Sequence, residues 1–455
     1  MLHLADAAIT DTVVNDLILF KKFFPACAKL SQEFDLEIIG RTSEDTFRNA
    51  SKLDLKYTDF FDSDIFSREV SDKDIEDAED YIGITFDYLF FSNKRRWSSL
   101  QRKNFKEKLV KYVWAWKELF KDTDIVINYM ENLYFTNLAD LVADKMGIKI
   151  IKVAGSGIVA DGLILWDKDH IPIFYKSKYK TDALNHLLQR THQVQTVKLL
   201  RPVNRFQDVL NKIPKMFNRI SIRIKDKRKS IDVDIPPAIP EFMRVTFTAL
   251  RYIIYPHLHK FFFDKSRPGE KFFLYPLHFQ WEAQITLREP FLNQLKFAKQ
   301  ISKFLPHNTF LYVKIHPHWK NADQDILPSF DLSRESNVRL IGPKEKTIDL
   351  IKKSLGVIVT NSTVGYEALA LGKPLVVTGH EVYKEVGLDV KDLNELPKIL
   401  SQIHSGDYQI DEDSYAQFLK KYSGHVITSE NPDEIAEEIK EAILWFMNSP
   451  TNDSK

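Results

Sequence analysis

The C-terminal half of the chain is blocked out in alternating apolar and polar stretches. Phe272–Leu277 is a short, nearly unbroken apolar run, the pattern of a strand buried on both faces. Phe291, Leu295, Ala298, Ile301 and Leu305 then recur at helical spacing over 289–305, and Pro306 stops that helix. Thr309–Ile315 and Asn337–Ile341 read as strands, 344–354 as a helix and Gly356–Thr360 as the next strand. A short helix from about Thr363 to Leu371 ends at Gly372, a good residue for closing a helix, and the strand Lys373–Thr378 follows. Strands alternating with helices require crossover connections and a parallel sheet, so this half predicts a Rossmann-like domain.

The N-terminal half has the same grammar with more noise. Asp35–Ile39, Asp124–Asn128 and Lys149–Val153 read as strands, and 104–120 and 135–146 as helices. The opening Leu2-His-Leu-Ala is a weak first strand for such a domain. From Lys212 to Lys229 there are eight basic residues against one acid, with Ile213, Phe217, Ile220 and Ile224 on one helical stripe. That pattern suits either a solvated charged face or a helix lying on an anionic membrane surface. Pro236-Pro-Ala-Ile-Pro240 marks a break, and 432–448 predicts a long amphipathic helix carrying Ile435, Ile439, Ile443 and Phe446. The expected organisation is one domain over 1–240, a second over 241–430 and a C-terminal helix over 431–455 crossing back to the first domain. The fold class is α/β: two Rossmann-like domains with parallel sheets facing an interdomain cleft.

Composition narrows the function by exclusion. At 455 residues the chain holds two or three domains, and a net charge of +1 gives no global reason to expect nucleic acid as a partner. The single cysteine, Cys27, rules out an internal disulfide and a cysteine-built metal site, and its apolar surroundings suit a buried structural thiol. No basic leader with a long apolar core opens the chain, and no apolar run nears the length needed to span a bilayer. A cytoplasmic protein, with peripheral contact to an anionic membrane, is the expectation. There is no Gly-x-Gly-x-x-Gly, no P-loop and no metal-ligand spacing, so redox and NTPase readings fall away and no metal or other cofactor is expected.

Polar clusters stand where the strands end, which is where an open α/β sheet binds ligands. In Val313-Lys-Ile-His-Pro317, the proline forces extended geometry and projects His316 from the strand end, to donate to a phosphate or simply to cap a turn. Lys314 is left outside the site, on the expectation that it points away from His316. Asn361-Ser-Thr363 supplies an amide and two hydroxyls at a helix start. One of the three is explained as an N-cap; three in a row, followed by Gly365, suggest a bound phosphate and a close approach by ligand or backbone. Glu367, one turn in, suits ribose hydroxyls or the positive end of the helix. His278, Gln280, Glu282 and Gln284 alternate after the strand 272–277, and Glu282 beside Trp281 is a candidate general acid or base, with His278 its companion. In the first half Ser156, Gly157 and Asp161, with Glu131 and Asn132, are the acceptor-side candidates.

Taken together, Tyr275-Pro-Leu-His-Phe-Gln-Trp-Glu-Ala-Gln284, Leu311-Tyr-Val-Lys-Ile-His-Pro317 and Asn361-Ser-Thr-Val-Gly-Tyr-Glu-Ala-Leu-Ala-Leu-Gly-Lys-Pro374 resemble the capsule polysaccharide biosynthesis family, which includes capsule Kdo transferases. The likeness spans about 270–395, with a fainter echo in 124–167. It implies a GT-B fold whose C-terminal domain binds a nucleotide sugar through His316, Pro317, Asn361, Ser362, Thr363, Gly365 and Glu367, with Glu282 near the transferred sugar. It implies a glycosyltransferase of surface polysaccharide synthesis and transport, acting on a polysaccharide or lipid-linked acceptor. Some relatives use CMP-linked sugars, whose single phosphate needs no bridging metal. The chain departs from the pattern at Trp281 and His318. Alternatives on the same fold are a nucleotide-sugar 2-epimerase, a glycerol-phosphate polymerase or a non-catalytic export accessory.

Overall fold

The computed structural model describes residues 2–5, 25–40, 52–92, 102–129, 134–155, 162–169, 172–173, 263–278, 292–316, 331–332, 334–342, 345–408, 410–423, 425–429 and 431–448. They fall into two compact units: residues up to Ile173 together with those from Tyr422 onward, and residues Phe263–Lys421. The basic segment 212–229 and the break at 236–240 lie outside the described residues.

Among the described residues the second unit has six parallel strands: β7 (Phe272–Pro276), β8 (Phe310–Lys314), β9 (Val338–Ile341), β10 (Gly356–Val359), β11 (Leu375–Val377) and β12 (Leu388–Asp389). Their spatial order is β12-β11-β10-β7-β8-β9. The first three strands therefore run outward in one direction and the next three in the other, which is the doubly wound Rossmann order. Alternation along the strands sorts side chains to two faces. Phe273, Tyr275, Leu277, Leu311, Val313, Ile315 and Ile358 pack into one core with helices Gln294–Ser302 and Leu396–Ser405. Phe272, Tyr312 and Lys314 occupy the opposite face, where the Phe272 and Tyr312 rings stack at 3.8 Å.

The first unit repeats the order. Its sheet runs β13-β6-β5-β4-β1-β2-β3, from β1 (Leu2–Ala5), β2 (Leu36–Gly40), β3 (Lys56–Asp59), β4 (Ile125–Tyr129), β5 (Lys149–Gly155), β6 (Leu163–Trp166) and β13 (Val426–Ile427). The weak opening segment is a central strand, parallel to β2 on one side and β4 on the other. The sheet is not wholly parallel, because β6 runs antiparallel to β5 and β13 antiparallel to β6. Val426–Ile427 thereby joins the first sheet, so the second unit ends at Lys421 rather than at 430. Helix Pro432–Asn448 lies in the first unit too. Ile435, Ile439, Ala442 and Ile443 pack with Ala26, Cys27 and Leu30 and with Ile127, Ile151 and Val153 of the sheet.

Most sequence-predicted elements match to within a few residues; the helix expected over 289–305 is described only as Gln294–Ser302. Two doubly wound α/β units in one chain are the components of a GT-B-like protein.

Candidate active site

In the second unit the strand order reverses between β7 and β10, so the C-terminal ends of these two strands frame the ligand crevice. His278 follows β7. The Gln294 side chain holds its backbone at both ends: the His278 N–H donates to Gln294 Oε1 at 2.8 Å, and Gln294 Nε2 donates to the His278 carbonyl at 3.3 Å. Both residues are buried, so the chain leaves β7 along a fixed path.

Beyond β10, Asn361 is 2% exposed and its Oδ1 accepts the His380 backbone N–H at 2.7 Å. Its amide thus fastens the loop after β11 to the end of β10. That loop lies so close that a Cβ on Gly379 would stand 2.2 Å from Asn361 Oδ1 and from the Thr360 carbonyl oxygen. The same loop is tied a second time by Tyr383, whose hydroxyl donates to the Ser362 carbonyl at 2.9 Å. The close approach expected at Gly365 is made by the Tyr383 ring, which a Cβ there would meet at 2.7 Å.

Ser362 and Thr363 differ in what they can offer. Ser362 Oγ accepts the Val364 N–H at 3.2 Å, which leaves its hydroxyl proton to donate elsewhere. Thr363 is exposed and its side chain makes no capping bond, so Thr363, unlike Ser362, lacks the local use that usually explains such a residue at a helix start. Glu367 is buried one turn in.

On the other side of β7, His316 is half-buried just past β8. Ile315 N–H still bonds to the Ile341 carbonyl, and Leu277 N–H to the Lys314 carbonyl, so His316 leaves from the edge of an intact ladder. Lys314 is the residue that the sequence reading left out. It is 2% exposed, and its Nζ donates to the Ile315 carbonyl at 3.0 Å. The signal that identifies it is parity, because residues two apart on a strand share a face. Burial lowers its pKa from 10.5 to about 8, against the opposing charge of Glu345.

Glu282, Pro317, Ser156, Gly157 and Asp161, with Glu131 and Asn132, lie outside the described residues. In the first unit the order reverses between β1 and β4, and Asn128, in register with Ala5 of β1 and Lys152 of β5, stands at that point. Asn128 Nδ2 donates to Asp140 Oδ1 and to the Thr136 carbonyl, and Lys152 Nζ lies 3.3 Å from Asp140 Oδ2. This buried polar group under helix Tyr134–Lys145 is a feature that sequence reasoning missed. Among the described residues, no group of three or more His, Cys, Asp or Glu could hold a metal ion, and no helix is long and apolar enough to cross a membrane.

No curated protein compared with the chain matches it. Among solved structures it is similar to S. aureus MnaA in a co-structure with UDP, at 15% identity and TM-score 0.29, covering 100% of this chain and 98% of that one. It is similar also to the Thermosulfurimonas dismutans KpsC beta Kdo 2,7 transferase, at 14% identity and TM-score 0.33, with coverage of 76% and 96%. A third similarity is to the lipopolysaccharide outer core galactosyltransferase WaaB in its apo form, at 12% identity and TM-score 0.35, with coverage of 98% and 99%. Identities and TM-scores this low describe a distant likeness. Residues 244–398, which contain β7 to β11 and every strand end framing the crevice, match the family described as capsule polysaccharide biosynthesis protein.

Proposed function

We propose that the chain is a glycosyltransferase that transfers a sugar from a nucleotide-activated donor to a polysaccharide or lipid-linked acceptor in surface polysaccharide synthesis. The observation that carries this reading is a coincidence of place. The family match, over 244–398, takes in the two strands at the topological switch point and the residues that follow their ends: His278 after β7, and Asn361, Ser362 and Thr363 after β10. In this reading the donor nucleotide lies across the ends of β7 and β10, with His316 beside it. The Ser362 and Thr363 hydroxyls and the His316 imidazole donate to the departing phosphate and stabilise charge as the glycosidic bond breaks. Glu282 and His278 are assigned to proton transfer near the sugar. A donor with one phosphate, such as a CMP-linked sugar, is the form that needs no bridging cation. The place of work is the cytoplasmic face of a membrane, supported by the basic stripe over 212–229.

Calorimetric titration with CMP, UDP, GDP and CDP, and with sugars linked to them, tests the reading. Selective binding of one nucleotide is expected. Thr363→Ala is the cleaner variant, because that side chain makes no capping bond, and Ser362→Ala with Thr363→Ala is the stronger one. The double variant is expected to melt close to wild type and to lose at least about tenfold in nucleotide affinity, the effect of one charge-assisted hydrogen bond. Unchanged affinity refutes the assignment.

A further inference from the structure

Lys314 raises a question that the nucleotide reading leaves open. An ammonium is strongly hydrated, and taking it out of water is unfavourable unless it is paired and hydrogen-bonded. Here the side chain is 2% exposed at the end of β8, and the bond that the structure gives its Nζ is to the carbonyl of the very next residue. Among the described residues no carboxylate forms an ion pair with it; the acid that acts on it is the half-buried Glu345, just ahead of helix Thr347–Lys353. A methionine would fill the same space without the desolvation cost.

Its position supplies a reason. The bond to the Ile315 carbonyl carries the charge past its own Cα to the C-terminal edge of the sheet. It lies on the face shared with Tyr312, two residues before His316, and its backbone is in register with Pro276 at the end of β7. Its pKa of about 8 leaves it charged at neutral pH. A buried charge also acts over several ångströms without the screening that weakens an exposed one.

We propose that Lys314 is an electrostatic positioning residue, whose buried ammonium draws the phosphate of a nucleotide to the strand ends beside His316 without touching it. The inference rests on the nucleotide reading above and names the group within that site that reads the ligand's charge.

The test compares charged with uncharged ligands of the same base. Wild type, Lys314→Met and Lys314→Arg are titrated with CMP and UDP, with cytidine and uridine, and with inorganic phosphate and pyrophosphate. Lys314→Met is expected to weaken nucleotide binding at least about tenfold, the size of one charge at several ångströms in an effective dielectric near 20. Nucleoside affinity should change less than about twofold, and Lys314→Arg should keep the preference for the charged ligand. Equal losses for nucleotide and nucleoside, or no loss for either, overturn the inference while leaving the nucleotide reading standing. If wild type binds no nucleotide, that reading fails first. Binding of phosphate or pyrophosphate that disappears in Lys314→Met would then still support the role of Lys314, and its absence overturns both. Should Lys314→Met not fold, Lys314→Gln is read by the same ratio.

Discussion

Replacing Lys314 by methionine should make the ligand-free protein more stable, and by an amount that depends on pH. The side chain is 2% exposed and burial lowers its pKa from 10.5 to about 8. Between these values the unfolded chain holds a proton that the folded one has released, so stability rises with pH across roughly 8 to 10.5. Below pH 8 both states are protonated and the folded state bears the whole cost of the buried charge. At about 1.4 kcal/mol for each pH unit, that cost is about 3 kcal/mol at pH 7. At pH 9.5 the folded state is neutral while the unfolded state is still mostly charged, and about half of the cost remains. Methionine has no charge to bury at either pH. Urea denaturation of wild type and Lys314→Met at pH 7 and at pH 9.5, without ligand, measures the difference directly. The variant's advantage should shrink by roughly 1–2 kcal/mol between the two. An advantage that is the same at both pH values, or a variant less stable at pH 7, would refute the reasoning.

Other expectations follow from single contacts. Gly379→Ala puts a Cβ 2.2 Å from a backbone oxygen and from the Asn361 amide; it should cost about 1–3 kcal/mol in a thermal melt and weaken nucleotide binding by displacing the loop after β11. Gln294→Leu leaves the buried His278 N–H and carbonyl without their clamp, so a loss of about 1–3 kcal/mol is expected by denaturant titration. Asp140→Ala removes the carboxylate partner of the buried Lys152 and should destabilise by about 3–5 kcal/mol, measured the same way. Cys27 is 0% exposed and burial pushes its thiol pKa up, so it should resist a thiol reagent in the native protein. Removing residues 431–455 takes Ile435 and Ile439 out of the cluster in which Cys27 is buried and should make the thiol react measurably faster than in the full chain.

The second unit was the more legible because its strands are buried on both faces and read as continuous apolar runs, as at Phe272–Leu277 and Gly356–Val359. The central strand Leu2–Ala5 was weak for the opposite reason. Four residues that include a histidine carry little contrast, and the strand is defined by neighbours 34 and 123 positions away, Leu36 and Ile125. Val426–Ile427 is shorter still, and its place comes from pairing with Leu163 and Ile164, which no local pattern announces. At the candidate site, residue type singled out Asn361 and Ser362 but not what each of them does. Asn361 and Ser362 are adjacent and polar; one fastens a loop and the other keeps a hydroxyl proton, and only the hydrogen bonds separate them. Lys314 was legible in principle, by the strand alternation that also places His316.

The return of Val426–Ile427 to the first sheet, and of helix Pro432–Asn448 to the same unit, has a consequence for biosynthesis. About 250 residues separate Ile173 from Tyr422, and at ribosomal rates of roughly 5–20 residues per second they take some 12 to 50 s to emerge. Until then the apolar face of Ile127, Ile151 and Val153 waits without its covering helix. The second unit, contiguous over Phe263–Lys421 among the described residues, is synthesised whole during that interval. Of the two units, the one begun earlier is therefore completed later, because a chain halted before residue 422 lacks both the strand and the helix that finish the first sheet.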